Sequence, residues 1–457
     1  MTSVTLNMNG ELVNAFSGEE LDYEPLKINE LNSSLAMSYS DKVLSDYSNE
    51  IFMNYLLKSA EWRQLISAKD IPIVTKLSTC EGYLWNDALS QTPFHNLRGC
   101  FLLIAFIVKF SCVAFLLPPL FLFKSLIAGS RRPQTTNFIA VVRSEAAFQK
   151  ISKLKDRLGI ILISEDMAFQ NKTMNSLFAY VSVREVLLGG PRIIKSSIRE
   201  VSGLNRELRQ FFGATCVNRI LLYYASRVIL KCGFEYLYES LVGKFDAELI
   251  TGNKEDRYAM VEKKVAKKCG RRLVCVPHGL EYSFKMPVGL PGDVFYCTSQ
   301  NSAAVLSEVY EEDEKFVFDG EVNQLIYSGG EAPKHRSEGI LFLTEPRSSE
   351  VNQQIIDILS DSGISFAIKL HPNDSRSYRL EGSVYTANSM AEAREFEVWL
   401  ARKSTVLLDA AYSGKKAVAI LLNRKDAFYA DYVFPSLSIN GIQKSYDAQS
   451  LIKILEN

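Results

Sequence analysis

Histidine is scarce in this chain, four in 457 residues, and two of the four follow short apolar runs. His371 ends Phe366-Ala-Ile-Lys-Leu370 and is followed by Pro372. His278 ends Leu273-Val-Cys-Val-Pro277 and is followed by Gly279. An imidazole titrates near neutral pH and can therefore accept or donate a proton there. Proline holds the residue before it extended, which fixes the direction in which the His371 side chain leaves the backbone. Glycine after His278 lets a ligand or another backbone come close. The chemistry these residues suit is group transfer: a base removes a proton from an acceptor hydroxyl while positive or hydrogen-bonding groups take up charge on a leaving phosphate.

Other candidates stand at comparable places. Ser404 and Thr405 precede an apolar, small-residue helix pattern, where hydroxyls and amides can hold phosphate; a plain helix cap is the alternative. Glu345, in Thr344-Glu345-Pro346, is placed to hydrogen-bond a ribose or base, or is a solvated loop acid. Glu165 and Asp166 follow Gly159-Ile-Ile-Leu-Ile163 and compete with His278 for the role of base. Glu281 is placed to orient His278 or touch the acceptor, and Asn253 and Lys254 are further acceptor contacts. No pair of carboxylates with DxD spacing stands in a suitable loop, so the expectation is a mechanism with no metal and no cofactor beyond the activated donor.

Strands followed by helices must position these side chains. Phe138–Val142 and residues 159–163, 247–250 and 272–276 read as strands, each separated from the next by helical periodicity. The same alternation restarts at Gly339 after a polar, glycine-containing stretch, 328–335. It runs through the His371 strand, Ser404-Thr405 and Ala417-Val-Ala-Ile-Leu-Leu422. Alternation of this kind implies mostly parallel sheets whose ligands bind at the carboxyl ends of the strands. The fold expectation is α/β, with two Rossmann-like domains facing a cleft.

Lys369-Leu-His371-Pro372, Ser404-Thr405 and Val276-Pro-His278-Gly279, in their order along residues 136 to 440, resemble a family. It comprises bacterial capsule and surface-polysaccharide glycosyltransferases of the two-Rossmann-domain (GT-B) type that carry an HP motif: sialyltransferases, polysialyltransferases and Kdo transferases. The resemblance implies a CMP-activated sugar as donor and a lipid-linked or surface saccharide as acceptor. It implies His371, with Pro372, at the donor phosphate, and carboxylate bases such as Asp166 occur in that group. It makes 136–327 the acceptor domain and 336–457 the nucleotide-sugar domain. Polysialyltransferase-like members have an acidic pair where this chain has His278-Gly279. The His-Gly form is more similar to the glycerophosphotransferases of teichoic-acid synthesis. A CDP-glycerol or CDP-ribitol polyol-phosphate transferase is therefore the alternative enzyme, and a non-catalytic scaffold of polysaccharide assembly the alternative outside catalysis.

Residues 1–98 are polar and acidic in their first part and form an N-terminal region. Residues 99–135 hold the most apolar stretch, Phe101–Phe123, broken by Lys109 and by Pro118-Pro119 and flanked by Arg98, Lys124, Arg131 and Arg132. Basic residues on both sides favour entry and exit on the cytoplasmic face. The expectation is a helical hairpin dipping into the inner leaflet, with a buried core helix or a true span as alternatives. The 52 basic and 52 acidic residues cancel, which gives no pull towards nucleic acid. The eight cysteines show no CxxC spacing and suit a reducing compartment. The expected place is cytoplasmic, peripheral or monotopic on the inner membrane.

Overall fold

A computed structural model describes residues 4–6, 12–14, 45–51, 95–209, 214–283, 285–286, 288–328, 337–346, 349–374, 376–380, 385–423, 426–427 and 429–456. Most of the N-terminal region, and most of the linker after Ser328, lie outside these residues. By contacts the described chain forms two compact units. The first is chiefly residues 13–278 with Lys285–Phe295; the second is chiefly Gly279–Phe284 with Tyr296–Asn457.

The first sheet contains β1 (Phe138–Val142), β2 (Ile160–Ser164), β3 (Asn175–Ser176), β4 (Glu248–Thr251), β5 (Leu273–Cys275), β6 (Val294–Tyr296) and β7 (Phe316–Val317). Their spatial order is β3-β2-β1-β4-β5-β6-β7, and every pairing from β3 to β6 is parallel. The second sheet contains β8 (Ser337–Leu343), β9 (Phe366–Lys369), β10 (Tyr385–Thr386), β11 (Phe396–Ala401), β12 (Lys416–Ile420) and β13 (Ile442–Ser445). It is parallel throughout, in the order β10-β9-β8-β11-β12-β13. Both follow the doubly wound order 3-2-1-4-5-6, and the α/β expectation of two Rossmann-like sheets holds. Such a sheet has a switch point where its chain order reverses, and its ligand crevice opens there at the carboxyl ends. Here those points are β1/β4 and β8/β11.

Local sequence explains the elements. Ile139–Val142 and Ala417–Ile420 are continuous apolar runs because strands covered on both faces have no polar side. Helix α3 (Glu145–Ile151) starts where the Ser144 hydroxyl accepts the Ala147 amide, and α4 (Val183–Leu208) starts at a full capping box of Ser182 and Glu185. The second core joins Phe342, Ile355, Ile356, Leu359, Ile368, Leu400, Val418 and Ile420 into one cluster.

The apolar segment differs from the hairpin expectation. It is one continuous helix, α2 (His95–Ala128), running through Pro118 and Pro119. Packing from distant sequence holds it in place. Helix α5 (Ala214–Val242) comes so close that a Cβ at Gly233 would lie 2.8 Å from the Phe121 ring, and a Cβ on Gly190 of α4 would meet Pro118 at 3.4 Å. Further ties run along its length: Asn218 Nδ2 to the Gly99 carbonyl, Lys109 Nζ to the Leu222 carbonyl, and Ser125 Oγ to the Val181 carbonyl. Phe106, Leu117 and Phe121 are buried on this side, while Phe101, Ile104, Phe115, Leu116, Phe123 and Ile127 are exposed on the other, Phe115 by 80%. The buried-core alternative therefore fails for half the helix.

Candidate functional site

The first site gathers at the β1/β4 switch point. Arg143 follows β1 immediately. Its guanidinium carbon lies 3.1 Å from the centre of the Tyr258 ring, and it pairs with Glu165 at 3.7 Å and Asp256 at 3.6 Å. After β4, the chain passes through Gly252, which presses on α3: a Cβ there would lie 2.8 Å from that of Ala147. Only glycine lets the strand end come this close, and it leaves the Gly252 carbonyl aimed at His278.

His278 Nδ1 lies 2.5 Å from that carbonyl oxygen. A carbonyl only accepts, so Nδ1 must carry the proton, and in the neutral ring the lone pair then belongs to Nε2. The half-buried His278 thus presents a proton acceptor. The turn that holds it is itself pinned: the Thr251 hydroxyl donates to Glu262 and accepts the Asn253 amide at 3.1 Å.

Glu262, on α6 (Arg257–Cys269), is fully buried, and burial pushes its carboxyl up to about 8. A raised acid binds its proton more tightly folded than unfolded. Stability therefore falls as pH rises from the ordinary carboxylate range to about 8, and is flat above. Glu262→Gln keeps an acceptor for Thr251 and removes the ionisation. The expected result is a melting temperature above wild type at pH 8, converging with it near pH 4. A difference independent of pH would mean that Glu262 ionises normally.

Of the carboxylates expected to compete with His278, Glu165 is fully engaged and Asp166 only in part. Glu165 is 1% exposed, accepts the Met167 and Ala168 amides and pairs with Arg143. It closes its own turn. Asp166 has φ 62°, a left-handed conformation that Asp tolerates. Its carboxylate accepts the Ser164 hydroxyl at 2.6 Å and its carbonyl accepts Lys124 Nζ from α2. Asn253 is buried, its amide bound to Thr251. Glu281 belongs to the second unit, is 1% exposed and accepts from the Thr298 amide and hydroxyl and the Ser436 hydroxyl. It is a buried bracket between loops of that unit, with its oxygens taken by Thr298 and Ser436.

The second site gathers at β8/β11 and the neighbouring β9. Thr344, after β8, accepts the His371 amide at 3.0 Å and donates to Asp374 at 2.9 Å. Asp374 also accepts the Tyr378 hydroxyl at 2.6 Å, and burial with that bond pushes Tyr378 up to about 12, so it stays a donor. This frame fixes the His371-Pro372 turn while the His371 ring stays exposed. His371 Nδ1 accepts the Asn373 amide at 3.1 Å. Its neutral proton is therefore on Nε2, the opposite tautomer to His278, and His371 presents a donor.

Ser404 and Thr405 follow β11 and precede α11 (Val406–Tyr412). The Thr405 hydroxyl makes no capping bond, so the plain-cap alternative does not apply to it. The segment before them is held by a buried ion cluster. Arg402 and Lys403 both reach Asp426, and Lys403 also reaches Glu345 at 3.2 Å. Burial alone would raise Asp426, but the Arg402 hydrogen bond and the two cations outweigh it and hold it below the usual carboxylate range. Glu345 thus pairs with both Arg402 and Lys403. Arg143, Arg402 and Lys403 were not singled out from sequence. The available signal was position, a cation directly after a strand at each reversal of order.

Among the described residues, Asp46, Glu200 and Glu235 lie close enough to share a metal ion, but the ammonium of Lys231 sits among them, 2.8 Å from Glu200 and 3.0 Å from Glu235.

No family model and no curated protein matches the chain. Solved structures do. UDP-GlcNAc 2-epimerase of Methanocaldococcus jannaschii, in complex with UDP-GlcNAc and UDP, is 11% identical over 71% of this chain and 92% of its own, with a TM-score of 0.36. The wall teichoic acid polymerase TagF is 10% identical over 80% of this chain and 88% of its own, TM-score 0.38. The Neisseria meningitidis UDP-GlcNAc 2-epimerase bound to UDP-GlcNAc is 10% identical over 71% and 90%, TM-score 0.37. Likeness at this level assigns no activity.

Proposed function

We propose that the chain is a GT-B-type glycosyltransferase. It moves a nonulosonic or ulosonic acid, such as sialic acid or Kdo, from a CMP-activated donor to a lipid-linked or surface saccharide. One observation carries this reading: two imidazoles at strand ends, framed by backbone into opposite tautomers, His278 with its Nε2 lone pair and His371 with its Nε2 proton. Transfer needs one of each. His278 Nε2 takes the proton of the acceptor hydroxyl as its oxygen attacks the anomeric carbon, and the bond from that carbon to the phosphate oxygen breaks. The electrons of that bond stay on the phosphate, where His371 Nε2–H and the hydroxyls of Ser404 and Thr405 hydrogen-bond the growing charge. Asp166 is the reserve base, and no step here calls on a metal.

The sequence Pro277-His278-Gly279 favours a second reading, transfer of glycerol or ribitol phosphate from a CDP-alcohol. The base and the leaving nucleotide class are the same, but the acceptor oxygen attacks phosphorus. A thermal-shift panel tests both: cytidine nucleotides should raise the melting temperature above uridine and adenosine nucleotides. Product mass then separates a sugar acid from a polyol phosphate. Stabilisation by no nucleotide would overturn both readings.

An apolar, outward-facing α2 supports an acceptor held at a membrane. The helix is 34 residues, about 50 Å at 1.5 Å per residue, against about 30 Å of hydrocarbon. It is tied along its length to α5, whose Arg227, Lys231 and Glu235 a spanning α2 would draw into the bilayer at high cost. Lying in the interface with its exposed face down satisfies both constraints. Lys124 then links the membrane helix directly to Asp166, at the carboxyl end of β2. Phe115→Asp with Leu116→Asp, on exposed positions, should move the protein from the membrane to the soluble fraction with its nucleotide response intact. Continued membrane attachment of a folded variant would refute this.

A further inference from the structure

We propose that the outward face of α4 is a second membrane-contact surface, laid on anionic lipid beside α2. The inference rests on the proposed interfacial position of α2. Helix α4 buries Val186, Gly189, Gly190, Ile193, Ser197, Leu204 and Leu208. At 3.6 residues per turn, Leu187, Pro191, Ile194 and Ile198 fall on one line outside that core face. Leu187 and Leu188 are each 59% exposed and Ile198 is 53%. A single exposed leucine needs no explanation; an apolar line along a charged helix does. The line begins where α4 meets α2, next to the Gly190 side that packs on Pro118. It therefore starts beside α2, whose own outward face is apolar.

Cations lie along one side of it. Arg184 and Lys195 are exposed beside the apolar line, and among the described residues neither forms an ion pair. Long basic side chains can lay their stems on an apolar surface and raise their charge to the headgroups. A face with leucine and isoleucine at its centre and basic side chains along one edge fits an anionic interface. A second copy of this chain fits poorly, because a two-fold contact would set these cations against their own copies.

Flotation of the full chain with phosphatidylcholine vesicles, with and without phosphatidylglycerol, tests this. Arg184→Gln with Lys195→Gln should reduce partition onto phosphatidylglycerol vesicles more than tenfold, at about fivefold per cation, and change it little on phosphatidylcholine alone. Leu187→Ser with Leu188→Ser and Ile198→Ser should reduce partition on both. All five positions are exposed, so unchanged melting temperatures are expected. If both variants float like wild type while Phe115→Asp with Leu116→Asp does not float, α4 faces water and only this inference falls. If the serine variant floats normally but converts a dimer to a monomer, a second copy covers the line and the inference is again wrong. Wild type that floats with neither vesicle removes this inference and the reading of α2 together.

Discussion

His278→Ala should stop transfer while leaving nucleotide affinity nearly intact, and His371→Ala should weaken both. The asymmetry follows from the tautomers. The Gly252 carbonyl holds the Nδ1 proton of His278, so the free nitrogen can only receive a proton in the neutral ring. A base of this kind contributes about 10²–10⁴ to rate, and the ground-state nucleotide gains nothing from it. The Asn373 amide occupies Nδ1 of His371, so its free nitrogen carries a proton and serves a phosphate before and during bond breaking. Losing such a donor costs about 10²–10³ in rate, and the bound nucleotide loses the same contact. Isothermal titration of the nucleotide beside single-turnover rates separates the two. Normal turnover in His278→Ala would pass the base to Asp166, because Glu165 is committed to Arg143 and two amides. Normal turnover in both variants would remove the imidazoles from the chemistry. A variant pair that binds nucleotide, with no transfer detectable even in wild type, would favour the scaffold alternative.

The strands, the sheet class and the two histidine turns were legible because each is local. An apolar run of four or five residues with a polar turn behind it defines a strand end, and His-Pro or His-Gly marks what that end presents. What could not be read depends on partners far away in sequence. Pro118 and Pro119 predict a break by the local rule, yet α2 continues because Gly190 and Gly233 let two other helices close on it. Glu281 looked available beside His278-Gly279, but Thr298 and Ser436 consume its oxygens. Arg143 and Arg402 each follow a strand directly, and Lys403 comes next. Their importance appears only with the strand order, which places β1 beside β4 and β8 beside β11. Sequence spacing marks strand ends well, but not which ends are neighbours.

Lys231→Met should destabilise the first unit strongly, and the loss should shrink in acid. Lys231 is fully buried on α5 and its ammonium contacts Asp46 of α1 (Ser45–Ile51), Glu200 of α4 and Glu235 one turn away. Burial alone would lower its pKa, but the three carboxylates outweigh burial and raise it. Its contribution is therefore fully present below the ordinary lysine range and is lost only as pH rises through the raised value. Removing the ammonium leaves three carboxylates facing one another. Breaking a buried ion pair from one side costs about 3–5 kcal/mol. The lower end is expected because the acids are 13–21% exposed and Lys264 still reaches Asp46 and Glu235. About 3 kcal/mol corresponds to a melting point lower by roughly 6–12 °C for a unit of this size. The acid side supplies the signature. In wild type, burial pushes Glu235 up but Lys231 and Lys264 pull it below its ordinary value. Its contribution is thus present above the usual carboxylate range and lost as pH falls through the depressed value. In the variant the carboxylates should bind protons more readily, and protonation relieves their repulsion. The gap between Lys231→Met and wild type should be widest near pH 7 and narrow towards pH 4. Equal gaps at both values would mean that the methionine merely packs badly, and no gap at either would mean that Lys264 alone neutralises the cluster.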